Sequence, residues 1–130
     1  MAAKKMKYSL IIYSDKADNG AISALSLAQA IIHSGHTLYR LFFYRDGVML
    51  AKKNTGTSPS QQRAWQQFVS ENHLDAVACV SAAVRRGLVS ENESLSATST
   101  FEHIAPSFQV SGLGQLADAL ANSDRVVSFG

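Results

Sequence analysis

A single cysteine, Cys79, stands in a chain of 130 residues. One thiol excludes an internal disulfide and any cysteine-based metal cluster, so a special role for it can only be that of a lone reactive sulfur. Proline is scarce, at two residues, and charge of either sign is modest: twelve Lys and Arg against ten Asp and Glu leave a formal net charge of +2. That balance gives no electrostatic case for direct binding of nucleic acid or of a membrane surface. Long apolar runs are missing too, since a membrane span needs about 18 such residues and no stretch reaches that length. The basic start, Lys4, Lys5 and Lys7, resembles the head of a signal peptide, but the apolar run behind it meets Asp15 and Lys16 too early. A soluble cytoplasmic protein is the expectation.

What the chain does have is material for a core. With 46% hydrophobic residues it is long enough for one compact unit and too short for two ordinary ones, so residues 1–130 are expected to form a single domain. Apolar runs rich in β-branched and aromatic residues alternate with helical patterns, the signature of repeated βα units around a mostly parallel sheet. Residues 7–13, "KYSLIIY", read as a first buried strand. Residues 20–35 read as a helix with Ile22, Leu25, Leu27, Ala28, Ile31 and Ile32 on its apolar face, Asp18 or Asn19 as its cap, and Gly35 just past its end. Residues 37–44, "TLYRLFFY", give a second strand. The long connection after it, "RDGVMLAKKNTGT", is either a loop with a task or a hairpin turning at Asp46-Gly47.

Residues 58–72 begin a second helix, with Ser58 as cap, Pro59 in the first turn and Gln61 at the capping-box position; Trp65, Phe68 and Val69 form its inner face. "DAVACV", residues 75–80, is a third strand, and "SAAVRRG" a short helix closed by Gly87. The serine-rich segment 90–100 suggests an exposed loop with one helical turn. Residues 107–110, 112–123 and 124–129 supply strand, helix and last strand, with Ser111 as the helix cap.

Cys79 lies where the third strand ends and a helix begins, the edge at which reactive groups gather in open α/β sheets. Unpaired N–H groups of the first helical turn would face the thiol there and favour its thiolate, the nucleophile of sulfur exchange. Turning a thiol from mostly protonated to mostly ionised at pH 7 takes about 2.7 kcal/mol, whereas a helix end supplies about 0.3 to 1, and about 2 in a favourable partly buried site. Another donor or cation must therefore help. Arg85 and Arg86 would sit about 9 to 10 Å further along a straight helix, too far for direct contact. They are expected to dress the rim, attract an anionic partner or pair with Glu91 or Glu93. The small side chains Ser81, Ala82 and Ala83 are expected to leave the sulfur uncovered. Isolated cysteines in apolar strands are more often inert packing residues, so the local sequence leaves both roles open.

Other candidates are weaker. His33, His36, His73 and His103 lack metal-ligand spacing and read as surface or capping groups. "GLG" at residues 112–114 lacks the third glycine of a dinucleotide fingerprint and reads as a tight turn.

Three stretches together carry a resemblance: "FFYRDGV" at 42–48, "CVSAAVRRGLV" at 79–89, and "SGLGQLADAL" at 111–120 followed by "DRVVSFG"; "RAWQQF" at 63–68 agrees with them. The chain is similar to the DsrE/TusD family of small sulfur-relay proteins over nearly its whole length. The resemblance implies a three-layer α/β/α fold with a five-stranded sheet and places the family's persulfide-carrying cysteine on Cys79. It further implies a subunit of a heterohexamer with TusB- and TusC-type relatives, receiving sulfur from a TusA-like donor and passing it to a TusE-like acceptor toward 2-thiolation of the tRNA wobble uridine. In the DsrE branch a similar assembly serves dissimilatory sulfur oxidation. No metal or organic cofactor is required. Ser81, Arg85 and Arg86, with Asp46 and Gly47 after the second strand, are expected at the site rim. The extension before Met6 and the serine-rich 90–100 segment depart from the family pattern. Two other roles stay open: a scaffold subunit that mainly builds the oligomer, and a flavodoxin-like ligand module, which would need a phosphate loop not found here.

Overall fold

Five strands hydrogen-bond in the order β4-β3-β2-β1-β5, every pair parallel: β1 (Lys7–Ile12), β2 (Thr37–Phe43), β3 (Ala76–Cys79), β4 (Gln109–Ser111) and β5 (Arg125–Phe129). The computed structural model describes residues 4–16, 20–96 and 100–130. The central strands are near-continuous apolar runs because a parallel sheet is covered on both faces. Helices α1 (Ala21–His33) and α2 (Ser60–Glu71) lie on one face. There Trp65 of α2 packs edge-on against Phe43 of β2, with ring centroids 5.4 Å apart, and its Nε1 donates to the Ala21 carbonyl of α1. From β1 to β4 the chain steps steadily across the sheet and then returns to the far side of β1. Right-handed crossovers put the return helix, α5 (Gly114–Asn122), on the opposite face. The result is the three-layer α/β/α arrangement.

The α5 face is held by polar groups. The β1–β2 register shifts so that Tyr8 pairs with Leu38 but Ser9 with Arg40, leaving Tyr39 as an extra, bulged residue. Tyr39 and Arg40 consequently reach the same group: the Tyr39 hydroxyl and Arg40 Nη1 each donate to Asp118 Oδ2 of α5 at 2.7 Å. Arg40 also grips Asp75 Oδ2 through Nε and Nη2 and donates to the Gln115 carbonyl. The Tyr39 hydrogen bond, and after it the Arg40 guanidinium, hold the Asp118 carboxyl below the usual carboxylate range.

Several expectations need correction. "RDGVMLA" is neither an open loop nor a hairpin: it winds into a 3-10 helix, Arg45–Ala51, fixed from below by α2. The amide of buried Gln66 donates to the carbonyls of Leu50 and Lys52, and that of Gln62 to Lys52 as well. Ser58 does not cap α2; the N-cap is Pro59, and the Ser58 hydroxyl instead accepts the Thr55 N–H. Ser111 is the last residue of β4 rather than a cap, because α5 starts only at Gly114 behind Leu113. The expected α1 caps Asp18 and Asn19 lie outside the described residues, and Gly20, at φ 114°, holds the N-cap position. Ile22 is exposed rather than part of the apolar face of α1. Gly35 does take the left-handed conformation after α1. The helical turn expected in 90–100 is α4 (Glu91–Leu95), opened by a capping box between Ser90 and Glu93. Residues 97–99 of that segment lie outside the described ones. No helix among the described residues is long and apolar enough to cross a membrane.

Candidate functional site

Cys79 ends β3 and is also the N-cap of α3 (Val80–Arg85), with φ −65° and ψ 124°. Strand alternation decides which way it faces. Phe43 and Ala78 are register partners on the α2 side, so Phe42, Val77 and Cys79 point toward the α5 side. Its strand neighbour across β4 is Ser111. The sulfur lies 3.3 Å from the hydroxyl of Ser81, which is exposed.

The structure departs here from an uncovered thiol. Cys79 is 1% exposed, and Ala82 and Ala83 are themselves buried. Small side chains open the way to a sulfur only where nothing else fills the space they leave; here Cys79, Ala82 and Ala83 all belong to the buried core cluster. Ser81 alone of that group faces solvent.

Arg86 does not pair with Glu91 or Glu93. Its Nε donates to Asp46 Oδ1 at 3.0 Å, and its Nη1 donates to the Ala82 carbonyl, so the end of α3 is tied to the 3-10 helix. Glu93 is occupied elsewhere, accepting the N–H groups of Ser90 and Glu102, which lower its carboxyl below the usual range. Arg85 is exposed. Gly47 is packed against β1: a Cβ there would overlap the Ile12 carbonyl oxygen, while its N–H donates to the carbonyls of Tyr13 and Tyr44. Asp46, Gly47 and Arg86 are thus brought together at the carboxyl edge of the sheet, next to the helix that Cys79 starts.

Sequence reasoning missed four neighbours at this edge. Tyr13 and Tyr44 follow β1 and β2 directly and meet edge-on, with centroids 6.0 Å apart, and Tyr44 stacks on Phe42. Phe43 pairs with Ala78, the last rung of the β2–β3 ladder, so Tyr44 and Cys79 both follow directly on that rung. Arg45, at φ 50°, lays its guanidinium on the Tyr13 ring. Ser14 is buried beside them. The signal for these residues was position, one or two places past the end of a strand, rather than motif. His36 has a structural task, its Nδ1 accepting the Met6 N–H.

A parallel α/β sheet with one thiol at the carboxyl end of an inner strand, heading a short helix, defines a class of small thiol-bearing α/β proteins. The DsrE/DsrF-like family pattern matches residues 6–129, and the chain belongs to that family. Similar proteins include "Sulfurtransferase TusD" of Cronobacter sakazakii, 46% identical over 84% of this chain and 88% of its own length. DsrE of Allochromatium vinosum is 39% identical, over 96% of this chain and 99% of its own. "Sulfurtransferase TusD homolog" of Pseudomonas aeruginosa is 35% identical, over 96% and 98%. The crystal structure of the ychN protein of E. coli superposes with a TM-score of 0.70 at 19% identity, over 97% of this chain and 100% of that one, a likeness of fold.

Proposed function

We propose that this protein is a sulfurtransferase that carries sulfur as a persulfide on Cys79 and hands it to an acceptor protein thiol, in the relay that serves 2-thiolation of the tRNA wobble uridine. The observation that carries the proposal is the placement of the chain's one thiol as N-cap of α3 at the carboxyl edge, in a chain whose relatives are named sulfurtransferases. N–H groups of the first turn of α3 and the Ser81 hydroxyl are the donors available to a sulfur anion there.

Loading is an exchange at sulfur. The Cys79 thiolate attacks the outer sulfur of a donor persulfide; the new S–S bond forms as the donor's S–S bond breaks, and the donor leaves as a thiolate with the bonding pair. An acceptor thiolate then attacks the outer sulfur on Cys79 and frees the Cys79 thiolate. Neither step needs an external oxidant or reductant. With Cys79 at 1% exposure, each step requires local opening around the thiol. The partners in this reading are a TusA-like donor, a TusE-like acceptor and sister subunits of TusB and TusC type in a heterohexamer. A role in sulfur oxidation is the second reading, supported by the 39% identity to DsrE; the 46% identity to one TusD supports the first.

Transfer of radiolabelled sulfur from the loaded protein to a purified acceptor tests the proposal. Wild-type protein should pass label to the acceptor thiol and Cys79→Ser should pass none. Transfer by the serine variant at the wild-type rate would leave a scaffold role instead.

A further inference from the structure

Where β5 returns to the far side of β1, a pocket of about 560 Å³ opens at the carboxyl edge, lined by Tyr13, Ser14, Arg45, Asp46, Arg86 and Gly130. Such a reversal point is where open parallel sheets take their ligands. The lining holds acceptors too, the Asp46 carboxylate and the Gly130 carbonyl end, but not every donor in it is spent on them. Arg86 is spent on Asp46 and the Ala82 carbonyl. Arg45 is not: among the described residues no carboxylate, the chain terminus included, lies within ion-pair distance of it, and its guanidinium rests on the Tyr13 ring, 5.6 Å from the centroid. Stacking on a ring leaves the in-plane N–H fork unused.

Ser14 adds an independent donor. It is 8% exposed, its oxygen accepts the Lys16 N–H at 3.1 Å, and its own proton has no acceptor among the described residues. Arg45 is exposed, so its fork is open to solvent, and together with a buried hydroxyl whose proton is unspent, lining the same pocket, it suits a ligand that only accepts. We propose that this pocket binds a small oxyanion, either a carboxylate or a sulfur oxyanion, with Arg45 as the fork and the Ser14 hydroxyl as the second donor. As a subsite that draws an anionic sulfur carrier to the Cys79 edge it rests on the persulfide reading; as an anion site it does not.

The test is an amide NMR titration of the full chain with sodium acetate and, separately, sodium thiosulfate, at an ionic strength fixed with sodium chloride. Saturable shifts are expected at Ser14, Arg45 and Gly130. Arg45→Asn, which tolerates the left-handed backbone, should weaken binding at least tenfold, and Ser14→Ala severalfold, with the rest of the spectrum unchanged. Saturation by acetate alone assigns the site to a carboxylate, saturation by thiosulfate alone to a sulfur oxyanion, and saturation by both to the shared chemistry. Cys79→Ser should bind as the wild type does, so a failed sulfur transfer and a failed anion site are told apart. No saturable shift with either salt, or equal binding by Arg45→Asn, overturns the proposal.

Discussion

Arg86 and Asp46, forty residues apart in sequence, form the ion pair that joins the end of the helix started by Cys79 to the 3-10 helix after β2. The pair is partly exposed, so its worth to global stability is about 0.2 to 1 kcal/mol. Its worth to the local packing around α3 is another matter, since it is the side-chain ion pair that ties that short helix to its neighbour.

Asp46→Asn should therefore change the unfolding free energy by less than about 1 kcal/mol and yet raise the rate of Cys79 alkylation about threefold or more, because labelling of a buried thiol reports local opening. Maleimide labelling followed by mass, beside a denaturant melt, reads both. An unchanged labelling rate would show that α3 does not need this tie to stay closed.

Gly47 is a glycine for reasons of space. A Cβ there would meet the Ile12 carbonyl oxygen, a backbone atom that cannot swing aside. Gly47→Ala should cost about 1 to 3 kcal/mol, as overpacking does, and should disturb the Tyr13 and Tyr44 carbonyl contacts before the rest of the sheet. Thermal denaturation and amide exchange at Gly47 check this; a loss under half a kcal/mol, roughly the size of an ordinary surface change, would contradict it.

The clamp on α5 predicts a pH dependence with a definite sign. Asp118 is held below the usual carboxylate range by the Tyr39 hydrogen bond and then by Arg40. A depressed folded-state value means that its stabilisation is present above the ordinary carboxylate range and is lost as pH falls through the folded value. Glu93, lowered by the Ser90 and Glu102 N–H groups, adds in the same direction at α4. Asp118→Asn should lower stability at neutral pH and flatten the loss on acidification; melting temperatures from pH 7 down to about pH 3, a window that brackets the usual carboxylate range, measure the difference. Parallel curves for the two proteins would mean that the clamp carries no linkage.

Much of the fold was legible. β-branched and aromatic runs marked the strands, 3.6-residue spacing marked Trp65, Phe68 and Val69, and Gly35 and Gly87 closed their helices in the left-handed conformation. The position of Cys79 at a strand-to-helix junction was legible for the same reason. What escaped were features decided across the chain. Ser58 and Ser111 carry cap chemistry, but one bonds its own loop and the other stays in the ladder. The bulge at Tyr39 leaves no local mark, since it exists to bring two side chains to Asp118, 78 and 79 residues further on. For Arg86 the sequence offered the nearby Glu91 or Glu93 as ion-pair partners, whereas the actual partner, Asp46, comes from the 3-10 helix of another βα unit. Burial of Cys79 is of the same kind: small neighbours allow either an open cleft or a close fit, and the tertiary packing decides.

The most direct measurement is the intact mass of the protein after incubation with a persulfide donor and removal of excess reagent under non-reducing conditions. The account predicts a gain of one sulfur, about 32 Da, reversed by a thiol and absent in Cys79→Ser. A wild-type protein that gains nothing while its thiol remains alkylatable would contradict it.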